Sequence, residues 1–198
     1  MMPIPFPTAD ERAYIKAYGI AAIYVAARPD GRAIVRCSRD LLLSAAAMYR
    51  RWASRHFHIV AAYWVEDLAE ARRILALVGE DRGCLVSIER AQHRIIQSAV
   101  RLDIQITEHA LVLDRASSAV FFVANKIQEF HDKGQLKWFN RAYRTWRLQA
   151  RAYGVTLTYG QALTCLRRRM FCNILFGLNI NHQDPMTIFP PLPPQRRY

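Results

Sequence analysis

The spacing of hydrophobic and polar positions divides the chain into a strand-bearing half and a helical half. Asp10 precedes a short amphipathic helix, Glu11 to Tyr18, and the apolar, partly β-branched run Ile20 to Ala27 reads as a strand. In the segment 28–32, Pro29 presets φ and Asp30-Gly31 supplies the left-handed positions of a hairpin turn, so Ala33 to Ser38 becomes a second, antiparallel strand. Ser38 or Asp40 caps a helix from Leu41 to about Ala53, rich in Ala and Leu. Phe57 to Val65 follows as a third strand, and Asp67 opens a helix from Leu68 to Val78, where Gly79 stops it. Hairpin, helix, strand and helix together make a compact α/β unit.

Beyond Gly83 the period becomes helical. Ile88, Ala91, Ile95, Ile96, Ala99, Leu102 and Ile106 mark a helix within 85–106, and Thr107-Glu108 starts a longer one that runs through Phe130 to Gly134. A basic, aromatic helix comes next and ends at Gly154. Thr158 then caps a last helix, Tyr159 to about Phe176, and prolines dominate the remainder. The expected architecture is α+β: a lead-in at 1–18, a mixed α/β domain at 19–82, an all-helical basic domain at 83–177 and a Pro-rich tail at 178–198.

Charge adds a statement about partners. The 28 Lys and Arg against 16 Asp and Glu give a net charge of +12, and the pI is near 10.1. Such an excess points to nucleic acid first and an anionic membrane surface second. The longest apolar run, Ala17 to Ala27, is too short to span a bilayer. Cys37, Cys84, Cys165 and Cys172 form no metal-binding spacing and read as reduced thiols. The expectation is a soluble, cytoplasmic protein without a signal peptide, a membrane partner or an obligatory cofactor.

The basic excess concentrates between Lys133 and Gln183, which holds nine basic residues and no Asp or Glu. On a helix of about 100° per residue, Lys137, Arg141, Arg144, Arg147 and Arg151 share an arc of roughly 120°. Phe139, Ala142, Tyr143, Trp146, Ala150 and Tyr153 fall on the other side. Like charges at i,i+4 repel by about 0.2–0.5 kcal/mol per pair, so the missing acids imply an anion from outside the chain. Phosphate of nucleic acid, DNA ahead of RNA, is the first candidate, held by these residues together with Arg167, Arg168 and Arg169. An acidic protein partner is the alternative, with the tail Phe189 to Tyr198 as a second docking element. Trp138, Tyr143 and Trp146 oppose the basic stripe, which assigns them to a core rather than to base stacking. Ala150 and Gly154, four apart ahead of a second helix, have the spacing of a helix-turn-helix, although Gly154 equally serves as an ordinary helix stop.

The segments Ala22-Ile23-Tyr24, Pro29-Asp30-Gly31-Arg32, Ile34-Val35-Arg36, Cys37-Ser38-Arg39-Asp40-Leu41 and Val65-Glu66 follow one another in an order by which residues 19–80 resemble a GIY-YIG domain. Ala22-Ile23-Tyr24 stands where Gly-Ile-Tyr would be, Pro29-Asp30-Gly31-Arg32 makes the turn, and Ile34-Val35-Arg36 occupies the Tyr-Ile-Gly place. Cys37-Ser38-Arg39-Asp40-Leu41 is similar to the family's Lys-Ser-x-Asn-Leu, and Val65-Glu66 before an Ala-rich helix also fits. The resemblance implies a nuclease-like fold in which two tyrosines, an arginine and a glutamate hold a metal and an attacking water at a phosphate. Tyr24 matches the first tyrosine and Glu70 the metal-binding glutamate. Ile34 replaces the second tyrosine and Ser44 the arginine. Neither replacement activates water or stabilises a phosphorane, so the resemblance implies a domain whose catalysis has eroded. An active endonuclease would rest on Tyr24, Glu70, Mg²⁺ or Mn²⁺, and an arginine recruited from Arg36, Arg39 or Arg50.

Other candidate chemistry is sparse. His56 and His58 alternate on a strand and share a face, without a third ligand near them in sequence. His93, His109 and His131 are isolated on helices and read as structural or exposed. Glu66, Asp67 and Glu70 suit helix-start charge compensation as well as metal binding.

Overall fold

The computed structural model describes residues 4–51, 57–79, 86–132 and 137–178, without the side chains of 51, 126–132 and 138. The chain forms two compact units, Met1–Ala116 and Ser117–Tyr198. Among the described residues lie seven helices and five strands.

The first unit is built on an antiparallel sheet of order β4-β2-β1-β3-β5. Its long strands are β1 (Ala21–Ala27), β2 (Arg32–Ser38) and β3 (His58–Val65), and its edges are the two-residue β4 (Val86–Ser87) and β5 (Thr107–Glu108). β1 lies between the other two long strands and is buried at every position, consistent with a run lacking polar alternation. The β1–β2 turn departs in detail from expectation: only Gly31 is left-handed, at φ 80°. Pro29 fixes a right-handed φ, Asp30 accepts a bond from the Arg32 N–H at 3.0 Å, and Gly31 alone reverses the chain.

Each face of the sheet has its own cover. Ala21, Ile23, Val25 and Ala27 face α3 (Leu68–Val78) and α4 (Ile88–Leu102), in one core with Ala71, Ile74, Val78, Ala91, Ile95 and Ala99. Burying a side chain of Ile74's size stabilises by about 1.5–3 kcal/mol. α4 was expected in the helical half. It packs on the sheet because its apolar stripe needs a surface that α3 leaves open; periodicity reveals such a stripe without revealing what it covers. Thr107-Glu108 also differs from the expected helix start, for it pairs with Tyr63 and Trp64 as β5. Asp103 ends α4 in the left-handed region at φ 53°.

The alternate residues of β1 and β2, among them Tyr24, Ile34, Arg36 and Ser38, face the other way. α1 (Ala9–Ala17) carries a Thr8–Glu11 capping box, and Arg12 pairs with Asp40 at 2.8 Å. Against the opposing effect of burial, that pair and the bond the Leu43 N–H donates to the Asp40 carboxylate, 3.1 Å, hold the Asp40 carboxyl below its usual range. Asp40, rather than Ser38, therefore meets the start of α2 (Leu41–Arg51). At the far edge, His109 opens α5 (His109–Asp132), and its ring stacks on Trp64 with centroids 5.9 Å apart. Trp64 donates to His109, whose other ring nitrogen meets the Pro5 carbonyl at 2.8 Å.

The second unit contains α6 (Lys137–Ala152) and α7 (Tyr159–Phe176). Between them, the Gly154 N–H bonds the Arg151 carbonyl at 3.0 Å and the Val155 N–H bonds the Ala150 carbonyl at 2.9 Å. This is a Schellman cap, closed by Gly154 at φ 71°. Thr158 and Gln161 form the capping box of α7, and Gly177 ends it. The expected boundary between 82 and 83 lies outside the described residues, with Gly83 and Cys84, as do Ala53, His56, Gly134 and the tail from 179 onward.

Candidate nucleic-acid interface

α6 separates its two kinds of residue cleanly. Phe139, Ala142, Trp146 and Ala150 are buried, while Lys137, Arg141, Arg144, Arg147 and Arg151 are exposed. The i,i+3/i,i+4 spacing of the apolar positions forces this arrangement: once they are packed, the arginines have only the outer face left. The exposed stripe extends over fourteen residue steps, about 21 Å at 1.5 Å per residue. Leu148 sits within the stripe, 66 % exposed.

Aromatic rings pin the inner face to the start of α7. Tyr159 meets Phe139 edge-to-face at 5.5 Å and Tyr143 at 5.2 Å. The Tyr143 hydroxyl donates to the Leu157 carbonyl at 3.3 Å. On its outer side, Tyr143 carries the Arg147 guanidinium 5.8 Å from its ring centre, so the arginine has a fixed perch as well as a charge. Tyr153 was expected on the buried face and is 49 % exposed, because the helix has ended by that position and the Gly154 reversal turns the chain away.

The Arg167-Arg168-Arg169 run behaves differently. Successive residues on a helix point about 100° apart, so the three cannot share one face. Arg167 is exposed, whereas Arg168 and Arg169 are half-buried and engaged with neighbours. Burial pushes the Cys165 thiol up in pKa despite Arg168, and it likewise raises Cys37 despite Arg72 and Arg36, so both cysteines are protonated thiols at neutral pH.

In the first unit, Tyr24 and Glu70 lie on opposite faces of the sheet. Tyr24 is 5 % exposed and points away from the core shared by Ala71 and Ile74 of Glu70's helix. Burial pushes the Tyr24 phenol up in pKa, while a hydrogen bond with Ser44 and the nearby Arg36 act in the opposite direction. Ser44, where the resemblance puts an arginine, also donates to the Ser38 hydroxyl at 2.7 Å. Arg36 is the cross-strand partner of Tyr24 and is exposed, and it is therefore the recruited arginine best placed beside the phenol. Arg39 and Arg50 are also exposed. Glu70 is half-buried and has an interaction of its own, and its N–H donates the capping bond to the Asp67 carboxylate at 2.9 Å.

Among the described residues, no three His, Cys, Asp or Glu side chains gather as metal ligands. His58 and His93 are exposed. No described helix is long and apolar enough to cross a membrane. No family model, curated protein or solved structure matches the chain.

Proposed function

We propose that this protein binds nucleic acid, DNA in preference to RNA, by holding phosphates along the exposed stripe of α6. The observation that carries this reading is the pairing of Arg141, Arg144, Arg147 and Arg151 on one exposed face with an acid-free stretch from Lys133 to Gln183. A like-charged stripe without internal compensation is relieved by a polyanion, and each phosphate neutralised releases counterions. A helix about 10–12 Å across fits the B-form major groove, whereas the A-form groove is too narrow for one. Lys137 and Arg167 extend the same function, and Arg168 and Arg169 contribute through the field they create.

In this reading residues 19–82 of the first unit make a GIY-YIG-like domain without catalysis. The hairpin-helix-strand-helix order and the placing of β1 between β2 and β3 support the likeness. The separation of Tyr24 from Glu70 and the use of Ser44 as a partner for Tyr24 support the loss of activity. Neither Mg²⁺ nor Mn²⁺ has a role.

Titration of a labelled duplex at several salt concentrations tests the reading. Replacing Arg141, Arg144 and Arg147 together by Ala should weaken binding and reduce the slope of log K against log salt by roughly 2.7, at about 0.9 per phosphate contact. Equal affinity and slope in wild type and triple variant would remove the reading. An acidic protein partner that survives nuclease treatment would then take the place of the nucleic acid.

A further inference from the structure

We infer that the α6–α7 junction stacks an unpaired base on Tyr159, which makes the preferred ligand a DNA duplex flanked by single-stranded bases. The inference rests on phosphate binding by α6. Its own support is an aromatic group that is held in place and yet open. Tyr159 is 39 % exposed although its ring meets Phe139 at 77° and Tyr143 at 84°. The loop before it is tied down by the Tyr143 hydroxyl on the Leu157 carbonyl and by the Thr158–Gln161 capping box. A ring fixed this way loses little freedom when a base lands on it.

The platform is continuous with the phosphate stripe. Arg147 lies over Tyr143 at 5.8 Å, and Tyr143 touches Tyr159 at 5.2 Å. A strand whose phosphate is held by Arg147 is thus led to the Tyr159 ring. Residues 151–156, including Arg151 and Tyr153, are all exposed beside this junction in sequence. Arginine next to exposed aromatic surface is the combination that binds single strands, and it tolerates any base because every base has a π-face. In a blunt duplex the bases are already stacked on each other, so the platform adds nothing there.

Fluorescence anisotropy with the full chain at about 50 mM salt, where phosphate contacts are strong, separates this inference from the one beneath it. The probes are one duplex in three forms: blunt, with a thymine overhang, and with an overhang of the same length made of abasic sites. The abasic form keeps the added phosphates and removes the bases. The thymine overhang should bind roughly tenfold tighter than the abasic one, the size of one stacked base. Tyr159→Leu should erase that ratio while leaving blunt-duplex affinity unchanged, and Tyr159→Phe should preserve it. Equal binding of thymine and abasic overhangs by the wild type overturns the stacking inference, even if Tyr159→Leu fails to fold, and leaves phosphate binding standing. Loss of blunt-duplex binding in a folded Tyr159→Leu variant also overturns it, since the ring would then act through the fold. A wild type that binds none of the three probes ends both readings.

Discussion

Trp64 Nε1 donates to His109 Nδ1 at 2.9 Å, and this one bond fixes the protonation of a buried histidine. With Nδ1 accepting, the ring proton must sit on Nε2 and donate to the Pro5 carbonyl at 2.8 Å. A second proton would displace the tryptophan. Burial lowers the pKa of His109, with the Pro5 bond opposing it more weakly. The unfolded chain therefore takes up a proton near its ordinary value of 6.5 before the folded protein does. The contribution to stability is complete above pH 6.5 and falls as pH drops below it toward the folded pKa. Urea midpoints at about pH 7.5 and pH 5 should differ in that direction. His109→Gln, whose amide offers both an acceptor and a donor, should flatten the difference.

Arg144→Glu should act in opposite directions on stability and binding. It removes repulsion with Arg141 and Arg147 at i±3 and supplies opposite charge to both, a gain of about 0.2–0.5 kcal/mol per pair. Thermal melts of the protein alone should shift upward by a degree or two, on the scale of about 2–4 °C per kcal/mol. Duplex affinity at low salt should fall. A variant less stable than wild type would show that Arg144 has an intramolecular partner after all.

Asp103 closes α4 in a left-handed conformation and adds a negative charge to the end of the helix where the macrodipole is already negative. Asp103→Gly should relieve both and stabilise by about 0.5–1 kcal/mol. A lowered melting temperature would mean that the Asp103 side chain makes a compensating contact.

Plasmid incubated with Mg²⁺ or Mn²⁺ should remain supercoiled, and Glu70→Gln should change nothing. Tyr24→Phe should cost about 0.5–1.5 kcal/mol, the net worth of its bond with Ser44. Nicking that disappears in the Tyr24→Phe variant would restore the endonuclease interpretation.

Much of the fold can be read from local pattern. Residues 21–27, 32–38 and 68–78 announce themselves through an apolar run, a Pro-Asp-Gly turn and an Asp67–Gly79 bracket. On α6, the 3.6-residue period places each arginine of the stripe outside and Phe139, Trp146 and Ala150 inside. What local pattern misses depends on distance in sequence. Nothing in Thr107-Glu108 foretells a bridge to Tyr63 and Trp64, and nothing in His109 foretells Pro5, more than a hundred residues earlier. Tyr153 fails for another reason: the wheel continued through a residue at which the helix had already stopped. The Phe139–Tyr143–Tyr159 cluster needs the turn at Gly154 before its members can meet, although a Gly between two aromatic helices is the signal that points to it.

The sheet carries a two-residue strand at each edge. β3 is met by β5 at one end and by the Ile4 N–H on the Ile59 carbonyl at the other. Among the described residues, β4 pairs with β2 at Arg32 and Ala33. A sheet edge is a template on which a second copy can stack, the first step of aggregation. Arg36 stands exposed along β2, with Arg32 at its start and Arg39 just past its end. Two molecules aligning these edges would press guanidinium against guanidinium. Positive charge of the kind proposed to meet a polyanion thus also opposes edge-to-edge stacking of its copies.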